Sequence, residues 1–376
     1  MSDRPFNILV INWQDITNPM GGGAEVHCHE IFKRVVAAGH DVTLLCCGYD
    51  GAPSSQVLDG VRIERRSSRN WFNFSVPGAY KNLRKQQSFD IVFDDINKIP
   101  FFTLLYVREP VVAIVHHFFG KSIFLEAPWL QANYVYQTEK LVPRIYRRVP
   151  FAVVSESTRE ELRRKGVTSE IDMLPNAVDV SRYTTAARKS SIPLIGYFGR
   201  VKKYKSVNHV IEAMPMMVRA IPDVRLLVIG DGDHRQELQR LTEQLGLSKY
   251  VEFTGHVSHD KKIELLSQLW LAVNPSPKEG WGLTVIEANA CHVPVVAANS
   301  PGLRDSVKQN ETGILYEYGN RGQLANAVIA LLKNRQKRNQ LSENARHWAE
   351  SFNWDDSAAK ALAIIEKTLK NRIEEI

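Results

Sequence analysis

The alternation of short apolar runs with helix-like segments constrains the fold of this chain more than any other feature of its sequence. Short, continuously apolar runs predict parallel strands that are covered on both faces. In the first half of the chain, such runs surround an amphipathic helix predicted at residues 24–38, which Gly39 ends. The predicted strands of this half are 8–12, 42–46, 61–64, 91–93, 111–115 and 152–154.

The second half of the chain repeats this plan. Its predicted strands are 193–198, 224–229, 251–254, 271–274 and 295–297. Its predicted helices are 207–221, 235–245, 260–268 and 283–291, and Pro222 and Gly246 end the first two. Because strands and helices alternate in both halves, the sequence predicts two doubly wound α/β domains.

The length of the chain also predicts two domains, because one hydrophobic core rarely grows beyond about 250–300 residues and this chain has 376. We expect an N-terminal domain at 1–180, a polar linker at 181–191 and a second domain at 192–355. A C-terminal helix at 356–376 is expected to pack back toward the first domain. Ligands of doubly wound sheets bind beyond the carboxyl ends of the strands, so we expect the site in a cleft between two facing domains.

The composition excludes several classes of protein. An apolar fraction of 44% with 24% charged residues is that of a soluble globular protein, and no apolar run approaches the roughly 18 residues of a membrane-spanning helix. The first residues lack the apolar stretch of a secretory signal, which predicts a cytoplasmic protein. The four cysteines have no zinc-ligand spacing and are expected to be reduced thiols. The net charge of +7 fits phosphorylated ligands, nucleic acid or an anionic membrane.

The most informative segment is 274–289, which follows a predicted strand and leads into a helix. Gly280 and Gly282 let the backbone approach a ligand closely, and free N–H groups at the helix start attract anions. Glu279 precedes the helix and Glu287 lies about one turn inside it, so both can reach one elongated ligand. Carboxylates suit sugar and ribose hydroxyls because they accept two hydrogen bonds from neighbouring OH groups.

The spacing of these glutamates resembles the signature of glycosyltransferase family four, a retaining family with the GT-B fold. Further segments of the chain resemble sequence motifs of that family. They are 155–157, 174–179, 197–200 with Lys205, and 229–232. The resemblance implies an α/β GT-B fold of two Rossmann-like domains, an acceptor-side N-terminal domain and a nucleotide-sugar-binding second domain. It also implies a hexosyltransferase that forms an α-glycosidic bond.

The same resemblance implies roles for the matched residues. Arg200 and Lys205 would bind the donor diphosphate, which gains charge as the glycosidic bond breaks. Glu287 would hold the ribose hydroxyls, and Glu279 would bind the transferred sugar opposite the acceptor. The remaining donor-binding residues implied in this domain are Gly199, Gly280, Trp281, Gly282 and Leu283.

Two features of the first domain match the family as well. The loop at 21–23 resembles its glycine loop, so Gly22 and Gly23 are candidates for contact with the donor phosphate or the acceptor. His116, at the end of the strand 111–115, matches a catalytic histidine that contacts the donor sugar. Alone, either feature also fits an ordinary loop or a structural histidine.

A metal site is considered and set aside. Asp94-Asp95 follows a strand, and Asp231 with Asp233 has the D-x-D spacing that binds a divalent ion in another transferase fold. We interpret Asp231 instead as a turn residue that bonds local backbone. We therefore expect no cofactor and no required metal, because Arg200 and Lys205 stand where a cation would neutralise the diphosphate.

The segment 62–85 carries seven basic residues and one acid, interleaved with aromatic residues. It is a candidate surface for an acceptor or for an anionic membrane, and the residues proposed are Arg62, Arg65, Arg66, Arg69, Trp71 and Phe72. A solvated loop over a partly buried aromatic cluster is the alternative. Basic and aromatic interleaving also suits single-stranded nucleic acid, but no nucleic-acid motif accompanies it.

The sequence thus predicts a retaining transferase that uses a UDP- or GDP-linked sugar and needs no nucleic-acid partner. The expected acceptor is a lipid-linked sugar or an envelope or exopolysaccharide glycan, at the inner face of the plasma membrane. A soluble small-molecule or glycan acceptor is the alternative. Rival classes are a nucleotide-sugar epimerase or phosphorylase, a nicotinamide oxidoreductase and a non-catalytic sugar-binding module. The loop at 21–23 lacks the G-x-G-x-x-G spacing that the oxidoreductase needs.

Overall fold

The computed structural model describes residues 4–97, 99–183 and 188–374. The chain divides into two compact units. The first comprises residues up to Asn176 together with the C-terminal segment from Trp354, and the second is Ala177–Asn353. Within the described residues, no helix combines the length and the apolarity that crossing a membrane requires.

The first unit is built on an eight-stranded sheet with the order β3-β4-β2-β1-β5-β6-β7-β8. All neighbouring strands are parallel except β3 and β4 at one edge. The strands are β1 Asn7–Ile11, β2 Asp41–Cys46, β3 Ser55–Leu58, β4 Val61–Arg65, β5 Ile91–Ile96, β6 Val111–Val115, β7 Phe151–Val153 and β8 Ile171–Met173. The central strands are buried on both faces, as their continuous apolar sequences predict.

Helices cover both faces of this sheet. They are α1 Gly23–Ala37, α2 Phe72–Gln86, α3 Trp129–Ile145, α4 Glu156–Arg164 and α12 Trp354–Glu374. The sequence predicted no helix at α2, and the alternative left open for this segment was a solvated loop. Phe72, Val76 and Leu83 recur at helical spacing, and all three are buried against β1 and its neighbours. Pro77 and Gly78, a pair typical of turns, interrupt this apolar stripe in the sequence.

The C-terminal helix α12 belongs to the first unit and packs along α1. It begins at Trp354, whose ring lies 6.1 Å from the ring of His27. The hydroxyl of Ser357 donates to the carbonyl of Pro175 at 2.9 Å, and Arg34 pairs with Asp355 at 2.7 Å. The first unit thus consists of two stretches of chain. The first stretch ends at Asn176, four residues before the boundary expected from the sequence.

The second unit holds a six-stranded, wholly parallel sheet with the order β11-β10-β9-β12-β13-β14. Its strands are β9 Leu194–Phe198, β10 Arg225–Ile229, β11 Val251–Gly255, β12 Leu271–Asn274, β13 Val295–Ala298 and β14 Gly313–Tyr316. Its helices are α5 Asn208–Ala220, α6 Arg235–Gln244, α7 His259–Gln268, α8 Leu283–Ala290, α9 Leu303–Ser306, α10 Arg321–Lys333 and α11 Arg335–Glu350. Of the predicted linker 181–191, residues 184–187 lie outside the described part, and 181–183 end a 3-10 helix, Val180–Tyr183.

Each sheet reverses its strand order at one point, and that point selects where a ligand binds. In the first unit β1 lies between β2 and β5, and in the second β9 lies between β10 and β12. Loops that leave the two sides of such a strand diverge and open a crevice at the carboxyl edge. The loops after β1, β9 and β12 are those that carry the predicted glycine loop, Arg200 with Lys205, and Glu279.

Candidate functional site

The loop between β12 and α8 is held in one conformation by its glycines. Gly282 is the N-cap residue of α8, with φ +88, and a Cβ there would meet the hydroxyl of Ser306 at 2.6 Å. At Gly302 a Cβ would lie 2.3 Å from the carbonyl oxygen of Glu279. The N–H of Glu279 donates to the carbonyl of Pro301 at 3.0 Å. The backbone that carries Glu279 is therefore fixed by close approach to the next loop.

Glu279 and Lys205 form an ion pair in the second unit. The Lys205 ammonium lies 2.6 and 2.7 Å from the two carboxylate oxygens of Glu279. Burial of the ammonium acts to lower the pKa of Lys205, but the neighbouring Glu279 carboxylate raises it above its ordinary value. Lys205 is thus held protonated beside the carboxylate, although 74 residues separate the two in sequence.

Arg200 lies in the loop that follows β9, the loop that also carries Lys205. It follows Gly199, which has φ +132, and the hydroxyl of Tyr197 donates to the Arg200 carbonyl at 2.9 Å. The Arg200 side chain is exposed, and its charge acts against protonation of Lys205. Two cations therefore lie close together after β9, one held by Glu279 and one open to an anionic ligand.

Glu287 is held by two side chains that the sequence did not indicate. Its carboxylate accepts hydrogen bonds from the Tyr183 hydroxyl at 2.6 Å and from the Lys262 ammonium at 2.5 Å. Burial, together with the charge of Glu287, raises the pKa of Tyr183. Because Tyr183 is 104 residues from Glu287 in sequence, no local motif links them, and only the tertiary fold brings them together.

Two of the predicted donor-binding residues differ in what their side chains do. The Trp281 ring is buried and packs edge-on against Phe352, with ring centroids 4.7 Å apart. We therefore assign this ring to packing within the second unit. Leu283 opens α8 and remains partly exposed, and Gly280 lies partly exposed in the preceding loop.

The glycine loop of the first unit is closed by a carboxylate. The N–H of Gly22 donates to the Glu25 side chain at 2.6 Å, and Gly23 is the first residue of α1. The other oxygen of Glu25 accepts from the amide of Asn97 at 3.1 Å. The Gly22 N–H predicted to meet a phosphate is therefore taken by Glu25 in this structure. Burial raises the pKa of Glu25.

Arg65 is buried and holds the loop that follows β1 by hydrogen bonds. Its guanidinium donates to both oxygens of Asp15 at 2.8 and 3.0 Å and to the hydroxyl of Thr17 at 3.0 Å. Burial acts to raise the pKa of Asp15, but the hydrogen bonds from Arg65 and Thr17 hold it below its ordinary value. The prediction that Arg65 and Phe72 belong to an acceptor or membrane surface is wrong, because both are buried.

The other residues of that predicted surface remain accessible to different degrees. Arg62 and Trp71 are exposed, whereas Arg66 and Arg69 are partly exposed. Arg66 pairs with Glu64 at 2.7 Å, and Arg69 contacts the sulfur of Met20. The surface is therefore smaller and less cationic than the sequence predicts.

His116 lies in a buried polar network at the carboxyl end of β6. Its Nε2 is 2.8 Å from one oxygen of Asp95, and the amide of Asn12 donates to the other at 3.1 Å. Burial acts to lower the pKa of His116, but Asp95 raises it above its ordinary value. The ring of His27 packs edge-on at 5.1 Å. Burial, with the charge of His116, lowers the pKa of His27 to about 3.

The carboxylates considered for a metal have protein partners. Asp94 and Asp95 alternate along β5 and point to opposite faces of the sheet: Asp94 accepts from Tyr146 and Thr103, and Asp95 from Asn12. The side chain of Asp231 accepts from the N–H of Gly232 at 2.8 Å, as expected of a turn residue. Asp233 pairs with Lys202. Across the described residues, no three His, Cys, Asp or Glu side chains are grouped to hold a metal ion.

Comparison with known families accounts for both units. The family described as "Glycosyltransferase Family 4" matches residues 21–182, and "Glycosyl transferases group 1" matches residues 185–348. The chain belongs to glycosyltransferase family four. The chain is therefore a glycosyltransferase, and the family predicted from the two glutamates is confirmed.

Curated relatives match almost the whole glycosyltransferase. A phosphatidyl-myo-inositol mannosyltransferase of Mycobacterium leprae is 24% identical over 92% of this chain and 93% of its own length. A glycogen synthase of Mycobacterium tuberculosis is 26% identical over 96% and 94%. Among solved structures, sucrose-phosphate synthase of Thermosynechococcus elongatus superposes with a TM-score of 0.81, at 20% identity, over 97% and 100% of the two chains. The predicted GT-B fold, with two doubly wound Rossmann-like domains, is confirmed.

Proposed function

We propose that this glycosyltransferase moves a hexosyl group from a nucleoside diphosphate sugar to an acceptor hydroxyl with retention of the anomeric configuration. The pairing of Lys205 with Glu279, beside the exposed Arg200, supports this most directly. It joins two motifs of the sequence into one group of two cations and a carboxylate at the carboxyl edge of a nucleotide-binding type of sheet.

The roles follow from the charges. As the bond between the anomeric carbon and the phosphate oxygen breaks, the leaving diphosphate gains negative charge, which Arg200 and Lys205 stabilise. The acceptor oxygen attacks on the same face, and its proton passes to the departing phosphate oxygen. Glu279 orients Lys205 and binds the transferred sugar, and Glu287 accepts hydrogen bonds from the ribose. The product has the α-linkage of the donor.

In the first unit, His116 is proposed to contact the donor sugar. Asp95 holds the Nε2 side of the imidazole, which leaves Nδ1 for a substrate hydroxyl. The Asn12 amide in turn orients Asp95. Since the Gly22 N–H is bonded to Glu25, the N–H groups of Gly23 and Ala24 at the start of α1 are the ones proposed for an acceptor or donor group.

The acceptor is proposed to be a lipid-linked sugar or an envelope or exopolysaccharide glycan, used by a cytoplasmic enzyme at the inner face of the plasma membrane. One relative is a phosphatidyl-myo-inositol mannosyltransferase and another is a glycogen synthase, so a lipid and a soluble glycan are both represented among the relatives. A soluble acceptor is the second candidate. Whether the base is uridine or guanosine is tested by a thermal-shift screen over nucleotide sugars.

Two measurements test the reaction itself. Incubation with the stabilising donor and candidate acceptors should yield a glycoside only when both are present, and the anomeric coupling in its NMR spectrum should match that of the donor. Conversion of the donor alone into another nucleotide sugar would indicate an epimerase instead. Saturable nicotinamide binding would favour an oxidoreductase.

We further propose that turnover needs no metal, since Arg200 and Lys205 provide two positive charges for the diphosphate. Turnover should be unchanged by EDTA. Loss of activity in EDTA and its return with manganese or magnesium would overturn this, and would redirect attention to Asp231 and Asp233.

A further inference from the structure

The outer side of α3 and of the 3-10 helix before it, Gly120–Leu125, exposes large apolar side chains in a run. They are Phe124, Leu125, Trp129, Leu130, Tyr134 and Leu141, each between 37% and 75% exposed. We name these six residues the α3 face. Most large exposed apolar side chains of the described chain belong to the first unit, and these six make their densest group.

The helix itself is well anchored, so its apolar outer side does not come from poor packing. Ala132, Val135 and Val142 are buried on its inner side. Glu139, also buried, accepts the N–H groups of Phe119 and Gly120 at 2.6 and 2.8 Å. A helix with one apolar side in the core ordinarily presents polar residues to water. Here half of the exposed residues of α3 are large and apolar: Trp129, Leu130, Tyr134 and Leu141 lie beside Gln131, Gln137, Lys140 and Arg144. An exposed apolar group of this size marks an interaction surface.

The charges around the α3 face have one sign. Within residues 120–148, all of which the structure describes, the exposed charged side chains are Lys121, Lys140, Arg144, Arg147 and Arg148. The two acids of this segment are Glu126, which is half-buried, and the buried Glu139. An apolar strip flanked by lysine and arginine, with no exposed acid, complements a negatively charged apolar layer.

The beginning of α2 extends the same surface. Trp71 and Phe74 are 66% and 65% exposed, and their rings lie 6.0 Å apart. Between them in sequence, the Asn73 amide donates to the hydroxyl of Tyr134 on α3 at 2.8 Å. This bond joins the two aromatic groups across adjacent helices, so that one side of the unit presents tryptophan from both.

We propose that the α3 face, together with Trp71 and Phe74, docks on the surface of an anionic lipid bilayer. Trp129 and Leu130 enter the boundary between head groups and acyl chains, where tryptophan is favoured, and the arginines near the end of α3 contact lipid phosphates. The proposed function includes a membrane location, and this inference rests on it only there. It keeps Trp71 and Phe74 from the segment 62–85, whose Arg65 and Phe72 are buried, and moves the rest of the contact to α3.

Co-sedimentation with vesicles tests the docking. Full-length protein is mixed with vesicles of phosphatidylcholine alone or with phosphatidylglycerol added, at low salt and at 1 M salt. Wild type should sediment with the anionic vesicles at low salt, and much less at 1 M, where the screening length falls to about 3 Å. Failure to sediment with anionic vesicles at low salt would overturn the proposal.

Two variants separate the apolar from the ionic part. Trp129→Gln/Leu130→Gln and Arg144→Gln/Arg147→Gln/Arg148→Gln change only exposed side chains, and each should weaken vesicle binding by about tenfold or more. The matched control is Val57→Gln/Leu245→Gln, which removes exposed apolar side chains elsewhere and should bind vesicles like wild type. Equal binding by wild type and the Trp129/Leu130 variant would overturn the proposal.

Two further readouts assign any failure. Nucleoside diphosphate binding, measured by calorimetry, should be the same in wild type and in all three variants. Absence of diphosphate binding in wild type and variants alike would count against the proposed function and not against the docking. Sedimentation velocity tests self-association. A wild-type dimer that becomes a monomer in Trp129→Gln/Leu130→Gln, without vesicle binding by either, would make the α3 face a contact between copies and overturn the membrane proposal.

Discussion

The two units use their predicted site residues in different ways. In the second unit, two residues named by the sequence, Lys205 and Glu279, form an ion pair, although Glu287 is held by Tyr183 and Lys262, which the sequence did not name. In the first unit, each such residue is paired with a partner that the sequence placed elsewhere. Gly22 is bonded to Glu25, His116 to Asp95, and Arg65 to Asp15. The motifs therefore included both partners of one interaction in the second unit, whereas in the first unit they included only one partner of each interaction.

The surfaces differ in the same direction. Large exposed apolar side chains are few in the second unit, where Ile192, Met216, Leu245 and Tyr318 lie apart in sequence. In the first unit they cluster on the α3 face and at the start of α2. From this comparison we propose that the second unit carries the donor chemistry and the first makes contact with the surroundings, and the following changes test that division.

The largest effect is expected at Arg65. Arg65→Ala leaves Asp15 buried without its counter-charge and should lower the free energy of unfolding by about 3–5 kcal/mol. The neighbouring Arg66→Ala is the matched control, because the Arg66–Glu64 pair is partly exposed and should cost less than about 1 kcal/mol. Urea denaturation of the two variants measures both. Equal losses of stability in the two variants would indicate that Arg65 is a surface residue, as the sequence predicted.

The donor-side cations come next. Arg200→Ala or Lys205→Ala should lower turnover by roughly 10²-fold or more, the scale for one contact made to charge that develops in the transition state. Lys203→Ala, an exposed lysine two residues before Lys205, should leave turnover near that of wild type. Folded variants of both Arg200 and Lys205 with near-normal turnover would contradict the division between the units.

The pH dependence of stability should depend on the first unit. The pKa of His27 is lowered to about 3 in the folded chain, whereas an unfolded histidine has a pKa of about 6.5. Below about pH 6.5 the unfolded chain therefore binds a proton at His27 that the folded chain does not bind. This contribution to stability is present above that pH and is lost as the pH falls, by up to about 1.4 kcal/mol per pH unit.

The test is His27→Gln, which keeps a donor for the carbonyl of Leu174. The variant should lose less stability than wild type between pH 7 and pH 5, and denaturation at both values measures this. The His116–Asp95 pair acts in another window, since a raised pKa contributes stability that is full below the ordinary histidine pKa and is lost as pH rises through the raised one. Equal losses of stability between pH 7 and pH 5 in wild type and in His27→Gln would be evidence against a neutral, buried His27.

The smallest effect separates the two glutamates. Glu287→Ala should weaken binding of free nucleoside diphosphate by about tenfold, or 1.4 kcal/mol, because it removes the acceptor for the ribose. Glu279→Ala should spare that binding and lower sugar transfer. Tyr183→Phe, which removes one partner of Glu287, should have a weaker effect in the same direction. Calorimetry gives the three affinities, and equal losses for the two glutamates would mean that their roles are wrongly divided.

Several elements could be predicted from sequence because their cause is local. Continuous apolar runs located the central strands of both sheets, and Gly39, Pro222 and Gly246 located helix ends. Phe72, Val76 and Leu83 carry a helical stripe as well, but Pro77 and Gly78 interrupt it and no helix was predicted there. The edge strand β3 has no apolar run, since it is half exposed and pairs only with β4.

By itself, the sequence determined the two-domain α/β architecture and the family, and it named Lys205 and Glu279, which the structure brings together. Those conclusions need only periodicity and short spacing, which the chain carries locally. Only the tertiary structure decided which charges are buried and what each is paired with. Arg65 and Arg66 are neighbours in sequence, yet strand geometry turns Arg65 inward to Asp15 and leaves Arg66 partly in water. Burial and long-range pairing depend on residues brought together from distant positions, and no local pattern records them.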